Sequence, residues 1–194
     1  MSDLTISLLS IAGFIVALMI PFFIWNYMKK NTIDKIVKKS NFIASKKYVS
    51  EYLLSSSIFI NTNDEKIAMI DISRGLENAL ITYNFSQLIS AETIINDESL
   101  SKTKRGSQLA GGVIGGALLG PVGLLAGALS GSKKTISKVK KIAIKLTFQD
   151  LDHPIHEIIF FEGNLKADSF ILEISSKEAE EWVGRMNAII DMSD

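Results

Sequence analysis

Residues 139–148 read VKKIAIKLTF and carry the clearest secondary-structure pattern in this 194-residue sequence. Four apolar side chains fall on alternate positions and share one face: Ile142, Ile144, Leu146 and Phe148. The positions beside them carry lysine, alanine or threonine. A period of two is typical of a half-buried β-strand. The stretch therefore predicts an antiparallel sheet with one face on a core.

Shorter runs on both sides of this strand extend the predicted sheet. Residues 57–61 and 66–72 are β-like and flank four turn-forming residues, which predicts a hairpin. Residues 31–55 mix lysines with apolar residues and predict a juxtamembrane helix followed by a short strand. Further strands are predicted at residues 80–83, 88–96 and 155–161, and, from the alternation of Phe170, Leu172 and Ile174, at residues 170–174.

The C-terminal region predicts an amphipathic helix. Ser175 and Glu178 have the S-x-x-E spacing of a capping box, which marks a helix start. Apolar residues then recur at helical spacing: Ala179, Trp182, Val183, Met186, Ile189 and Ile190. The predicted fold is α+β, a curved antiparallel sheet or open barrel plugged by this helix.

This order of elements resembles the bacterial pleckstrin-homology-like (PH-like) domains, over residues 48–101 and 136–192. The resemblance implies a binding or scaffolding module with a protein partner on the domain, because that fold seldom carries catalytic residues. We expect the domain to cover residues 48–194, with an insertion at residues 106–132.

The insertion is glycine-rich and reads GSQLAGGVIGGALLGPVGLLAGALSGS. Glycines four residues apart line one face of a helix and let a second helix approach closely. Two such series are separated by a proline: Gly112, Gly116 and Gly120 with Gly111 and Gly115 alongside, then Pro121, then Gly123, Gly127 and Gly131. Since proline disrupts a helix interior, the segment predicts a hairpin of two short helices, residues 107–119 and 122–131.

Basic residues flank the glycine segment on both sides: Lys102, Lys104 and Arg105 precede it, and Lys133 and Lys134 follow it. A single span would leave one basic flank outside and split the β domain across the bilayer. Each short helix, at roughly 15–20 Å, cannot cross alone. We therefore expect a hairpin that dips into the membrane with both ends in the cytoplasm. Self-association, packing on the protein itself and a true span are the alternatives.

The same segment resembles the glycine-zipper stretches of bacterial envelope proteins. Small bacterial membrane-associated proteins that place such a zipper inside a β-rich, PH-like domain have a similar overall organisation. This resemblance implies membrane association and self-association into a homo-oligomer.

Residues 4–28 contain no charged side chain. As a helix they are roughly 37 Å long, which is enough to cross the ~30 Å hydrocarbon core with some tilt. The sequence therefore predicts a transmembrane helix after a short tail, residues 1–3. A cleaved signal peptide fits less well, because the start is not positive and the apolar run is too long. A buried helix of a soluble protein is the other alternative.

A basic juxtamembrane segment, residues 29–47, follows at once. Its seven lysines, against one aspartate, include Lys29, Lys30, Lys35, Lys38 and Lys39. The positive-inside rule places the N-terminus outside and the remaining chain in the cytoplasm of a bacterium, at the inner membrane. The lysines either only set this topology or also attract anionic lipid headgroups.

Charge over the whole chain cancels, with 21 basic and 21 acidic residues, but its distribution is uneven. Residues 29–149 carry 18 basic and 9 acidic side chains, whereas residues 150–194 carry 3 and 11. The basic stretches therefore lie beside the segments expected to contact the membrane. A hydrophobic content of 47% excludes a disordered chain and a polytopic membrane protein. The absence of cysteine excludes disulfides and thiol nucleophiles.

No motif in the sequence predicts catalysis. Residues 127–135, GALSGSKKT, depart from the G-x-x-x-x-G-K-[ST] spacing of a phosphate-binding loop. We interpret His153 and His156, which lie among acidic residues, as polar residues of a turn rather than metal ligands. The basic segments lack the interleaved aromatic residues of a nucleic-acid-binding surface. We expect no catalytic residue, no metal or other cofactor, and no nucleic-acid partner.

Together, these patterns predict a single-pass inner-membrane protein with a cytoplasmic PH-like binding or scaffolding domain. Its glycine hairpin dips into the membrane and self-associates. The alternative is a membrane-permeabilising effector, of the toxin or phage-exclusion type, that oligomerises through the glycine zipper.

Overall fold

A computed structural model describes the backbone of residues 3–104 and 138–193. Side chains are described within these ranges except at residues 3–13, 15, 16, 18, 22 and 98–104. The chain divides into two compact units, Met1–Phe42 and Ile43–Asp194.

The first unit contains one helix, α1, which covers Asp3–Lys39. The predicted span, residues 4–28, lies in α1, and so does the start of the predicted basic segment. The helix continues through Pro21. Within the described residues, no helix combines the length and the apolar character needed to cross a membrane. The transmembrane assignment stays a prediction.

The second unit begins with a four-stranded antiparallel sheet. Its strands, in spatial order, are β1 (Lys46–Tyr48), β2 (Ile58–Asn61), β3 (Lys66–Ile70) and β4 (Leu80–Asn84). The predicted hairpin is confirmed, because β2 pairs with β3 from Ile58 opposite Met69 to Asn61 opposite Lys66. A short 3₁₀ turn, Phe85–Gln87, leads out of this sheet.

A second four-stranded antiparallel sheet follows, in the spatial order β6-β5-β7-β8. Its strands are β5 (Leu88–Ile95), β6 (Glu98–Lys104), β7 (Lys138–Phe148) and β8 (Ile155–Lys166). The alternating stretch at residues 139–148 is confirmed as β7. The sequence did not predict β6, because its residues ESLSKTK contain a single apolar residue, Leu100, and therefore show no apolar alternation. It also ended β8 too early, since Glu162, Gly163 and Asn164 interrupt the apolar run.

The C-terminal helix, α2, covers Phe170–Met192. The predicted strand at residues 170–174 is wrong, and so is the helix start at Ser175, because the helix begins five residues earlier after Ser169. Three alternating residues cannot separate a strand from one helical turn. Leu172 is buried, whereas Phe170 and Ile174 are exposed on α2, so the alternation did not mark one buried face.

Both sheets and α2 share one hydrophobic core. The apolar face of α2 that the sequence predicted is buried there, from Ala179 to Ile190, and packs on β5, β7 and β8. Side chains from both sheets meet it, including Ile67 of β3 and Ile144 of β7. The described fold is therefore α+β, with antiparallel sheets and a C-terminal helix.

Candidate functional site

The residues predicted to contact the membrane are only partly described. Every residue of the predicted glycine hairpin, from Gly111 to Gly131, lies outside the described residues, and so do Arg105, Lys133 and Lys134. Lys102 and Lys104 lie on β6, where the backbone alone is described. On α1, Lys29 is buried, whereas the other four predicted lysines, Lys30, Lys35, Lys38 and Lys39, are exposed.

Polar side chains converge at a different place, where the β3–β4 loop meets the β7–β8 loop. Tyr83 of β4 lies at the centre of this cluster. Its hydroxyl donates to Asp150 Oδ2 at 2.9 Å and lies 3.0 Å from His156 Nε2. Its ring stacks on Phe148 of β7, with centroids 4.2 Å apart. Tyr83 therefore ties the first sheet to the β7–β8 loop.

Asp150 shapes the β7–β8 loop. Its Oδ1 accepts hydrogen bonds from the backbone N–H groups of Asp152 and His153, at 2.9 and 3.1 Å. The backbone N–H of His153 is the main cause of a lowered pKa at Asp150, and the Tyr83 hydroxyl adds to it. Such an Asp-closed turn is locally stable. It holds Leu151 fully exposed at the loop tip.

A second contact joins the two loops. Arg74 Nη2 lies 3.1 Å from His153 Nδ1, and Arg74 Nε lies 3.5 Å from Asp71 Oδ2. Asp71 also accepts two hydrogen bonds from Ser73, one from the hydroxyl at 2.6 Å and one from the backbone N–H at 3.0 Å. The Ser73 hydroxyl is the largest cause of the lowered pKa of Asp71. Charge and hydrogen bonding thus order both loops against each other.

A cavity of about 550 Å³ opens beside this cluster. Its polar wall includes Asp71, Ser73, Asp152, His153, His156 and Glu157. Two of these carboxylates are already engaged, because Asp71 contacts Arg74 and Glu157 lies 2.7 Å from Lys141 Nζ. Within the described residues, no group of three or more His, Cys, Asp or Glu side chains is placed to hold a metal ion.

Both central side chains of the cluster are neutral near pH 7. Burial raises the pKa of the Tyr83 phenol far above its usual range, and burial lowers the pKa of His156. Because Tyr83 donates its single proton to Asp150, the protonated ring nitrogen of neutral His156 is assigned as Nε2, which donates to the Tyr83 oxygen. The cluster therefore works through hydrogen bonds that position a loop and a cavity wall.

Side-chain hydroxyls cover part of the edge of β8. Those of Tyr48 and Ser50 both donate to the Ile159 carbonyl, at 2.8 and 3.0 Å. The Ser56 hydroxyl donates to the Glu157 carbonyl at 3.2 Å. An uncovered strand edge is a template for pairing with another strand. The last residue of β1 and the segment that follows it therefore protect this edge.

The sequence drew attention to His153 and His156 but missed Tyr83, Arg74 and Asp71. Tyr83 lies 67 positions from Asp150 along the chain, and no local pattern relates residues that far apart. The only sequence signal nearby was the turn composition of residues 149–154, which located the loop and not its partners.

Comparison with known proteins identifies the domain. Residues 45–162 match the family model described as a glycine zipper containing PH domain. The matched range begins just before β1, ends inside β8 and includes the glycine-rich segment. No solved structure matches the chain.

Two phage-related proteins are similar to this chain. The first is named "Immunity protein", of Bacillus phage SPbeta; it is 30% identical over 144 residues, which cover 70% of each chain. The second is named "SPbeta prophage-derived uncharacterized membrane protein YomJ", of Bacillus subtilis strain 168; it is 30% identical over 144 residues. That match covers 70% of this chain and 62% of the relative, so this chain spans less than two thirds of it.

Proposed function

Because the chain belongs to the family of glycine zipper-containing PH domains, we propose that it is a membrane-associated binding or scaffolding protein. Residues 4–28 anchor it, residues 43–194 act in the cytoplasm, and the glycine hairpin contacts the same membrane. The observation that carries this proposal is the uncharged run of 25 residues, which α1 joins directly to a lysine-rich stretch. A relative named as a membrane protein supports it.

Membrane attachment and topology can be tested with single-cysteine variants, because the wild-type chain has no cysteine. We expect the chain to stay in the membrane fraction after carbonate extraction. In intact cells, a membrane-impermeant maleimide should label the Ser2→Cys variant. The same reagent should label the Ser193→Cys variant only after the cells are permeabilised. The cysteine-free parent controls for background labelling. Release by carbonate, or labelling of Ser193→Cys in intact cells, would overturn the proposed arrangement.

The dipping hairpin has its own test. In membrane-bound protein, Ala117→Cys and Leu124→Cys should react slowly with a water-soluble thiol reagent, because lipid shields them. Leu151→Cys is the matched control, since Leu151 is fully exposed at a loop tip. Labelling of the hairpin variants as fast as the control would refute insertion. Self-association is checked by comparing crosslinking of the parent with Gly116→Leu, which should block close helix approach.

A second candidate function follows from the relative named "Immunity protein". Under this alternative, the chain protects its host cell and leaves the membrane sealed, in contrast to a permeabilising effector that self-assembles through glycine hairpins. Reconstitution into dye-loaded liposomes separates the two. Dye release that Gly116→Leu abolishes would support the effector. Intact liposomes, with survival of expressing cells under phage challenge, would support immunity.

A further inference from the structure

A groove of about 340 Å³ runs between the first turns of α2 and the end of β1 with the residues that follow it. Aromatic rings line one side: Tyr48 and Phe160 have centroids 4.4 Å apart, and the partly buried Tyr52 lies beside them. On the α2 side, Ile171 and Ile174 line the groove and remain 53% and 51% exposed. The described residues therefore leave an apolar slot open to solvent.

Carboxylates border this slot. Glu51 and Glu178 line it, against a single lysine, Lys47. Desolvation raises the pKa of Glu178, the negative charges of Glu181 and Glu51 raise it further, and the positive charge of Arg185 opposes them. Among the described residues, Glu178 has no cation within ion-pair distance. No cation of the described residues therefore forms an ion pair with Glu178 at the border of the groove.

We infer that this groove binds a partner polypeptide through a basic side chain flanked by apolar residues. The carboxylate of Glu178 can accept a charge-assisted hydrogen bond from that basic side chain. The exposed isoleucines then pack against the flanking apolar residues of the partner. A lipid surface fits less well, because anionic headgroups repel the carboxylates.

This inference names the partner chemistry of the proposed binding role and rests on that role. The test of peptide binding needs no membrane. Peptide binding can therefore fail while membrane attachment is confirmed, and membrane attachment can fail while peptide binding is confirmed. The full chain in neutral detergent is titrated against three fluorescent heptapeptides, Gly-Ser-Leu-X-Ile-Ser-Gly, in which X is lysine, norleucine or glutamate. Fluorescence anisotropy measures binding.

We expect the lysine peptide to bind about tenfold more tightly than the norleucine peptide, as one charge-assisted contact predicts. The glutamate peptide should not bind. Glu178→Gln should remove most of the preference for lysine, and Ile174→Asp should abolish binding. Glu173→Gln is the matched control, because Glu173 is an exposed carboxylate of α2 outside the groove lining.

Three outcomes would overturn the inference. Equal affinity for the lysine and glutamate peptides would remove the role of charge. An effect of Glu173→Gln as large as that of Glu178→Gln would place the interaction outside the groove. Sedimentation velocity that shows self-association lost in Ile174→Asp would mean that a second copy of the chain covers the slot. Circular dichroism of each variant guards against misfolding.

Discussion

The Ile159 carbonyl allows a quantitative test of how the β8 edge is protected. It accepts two buried hydrogen bonds, from Tyr48 at 2.8 Å and Ser50 at 3.0 Å. Tyr48→Phe keeps the ring on Phe160 and leaves the carbonyl one partner, so we expect it to lower the free energy of unfolding by about 0.5–1.5 kcal/mol. Ser50→Ala should cost at least as much, because the Ser50 hydroxyl also accepts from the Tyr52 N–H at 3.2 Å.

The double variant, Tyr48→Phe with Ser50→Ala, tests whether either hydroxyl alone can satisfy the Ile159 carbonyl. With both hydroxyls gone, a buried acceptor is left unpaired, which costs a further ~1–3 kcal/mol. The loss in the double variant should therefore exceed the sum of the two single losses. Urea unfolding, followed by fluorescence of the buried Trp182, measures all three variants, with exposed Ser55→Ala as a control. Losses that add within about 0.5 kcal/mol would refute shared protection of this carbonyl.

Three further predictions concern other parts of the second unit. Because burial lowers the folded-state pKa of His156 below 6.5, the unfolded chain binds the proton first, and the free energy of unfolding should fall as pH drops below about 6.5. His156→Gln should reduce the pH dependence of the free energy of unfolding, measured with urea, between about pH 5 and 6.5, which lies above the range in which Asp71 and Asp150 titrate. A pH dependence equal to that of the parent would contradict this. Gly184→Ala should raise the free energy of unfolding by about 0.5–1 kcal/mol, because a Cβ there meets nothing within 4 Å, and a loss in thermal unfolding would show that this face is covered. Arg74→Ala should speed amide hydrogen exchange in both loops while global stability changes by less than ~1 kcal/mol; unchanged exchange would mean that the contact with His153 orders neither loop.

Agreement between sequence and structure follows the strength of the local pattern. The strand β7 and the buried face of α2 were predictable, because alternation over ten residues and helical spacing over twelve each encode one buried side. The strand β6 was not, since its residues ESLSKTK contain a single apolar residue, Leu100, and therefore no apolar alternation that would mark a strand; its backbone pairs with β5. The start of α2 was misplaced because Phe170 and Ile174 are apolar yet exposed.

The candidate sites depended on tertiary structure to a greater degree. The sequence located the β7–β8 loop and its histidines, but Tyr83, Arg74 and Asp71 reach that loop only because the two sheets fold together. The groove is similar, since Glu51 and Glu178 come from segments separated by most of the domain.

The sequence alone determined the class of the domain. It also revealed the uncharged N-terminal run, the glycine series and the basic flanks, because each of these is a pattern among residues close together in the chain. Only the tertiary structure decided which hydroxyls cover the β8 edge, which loops touch and which carboxylates border the groove. Those contacts join residues dozens of positions apart. They form only when burial of the shared core brings both sheets and α2 together, and no spacing within one segment encodes them.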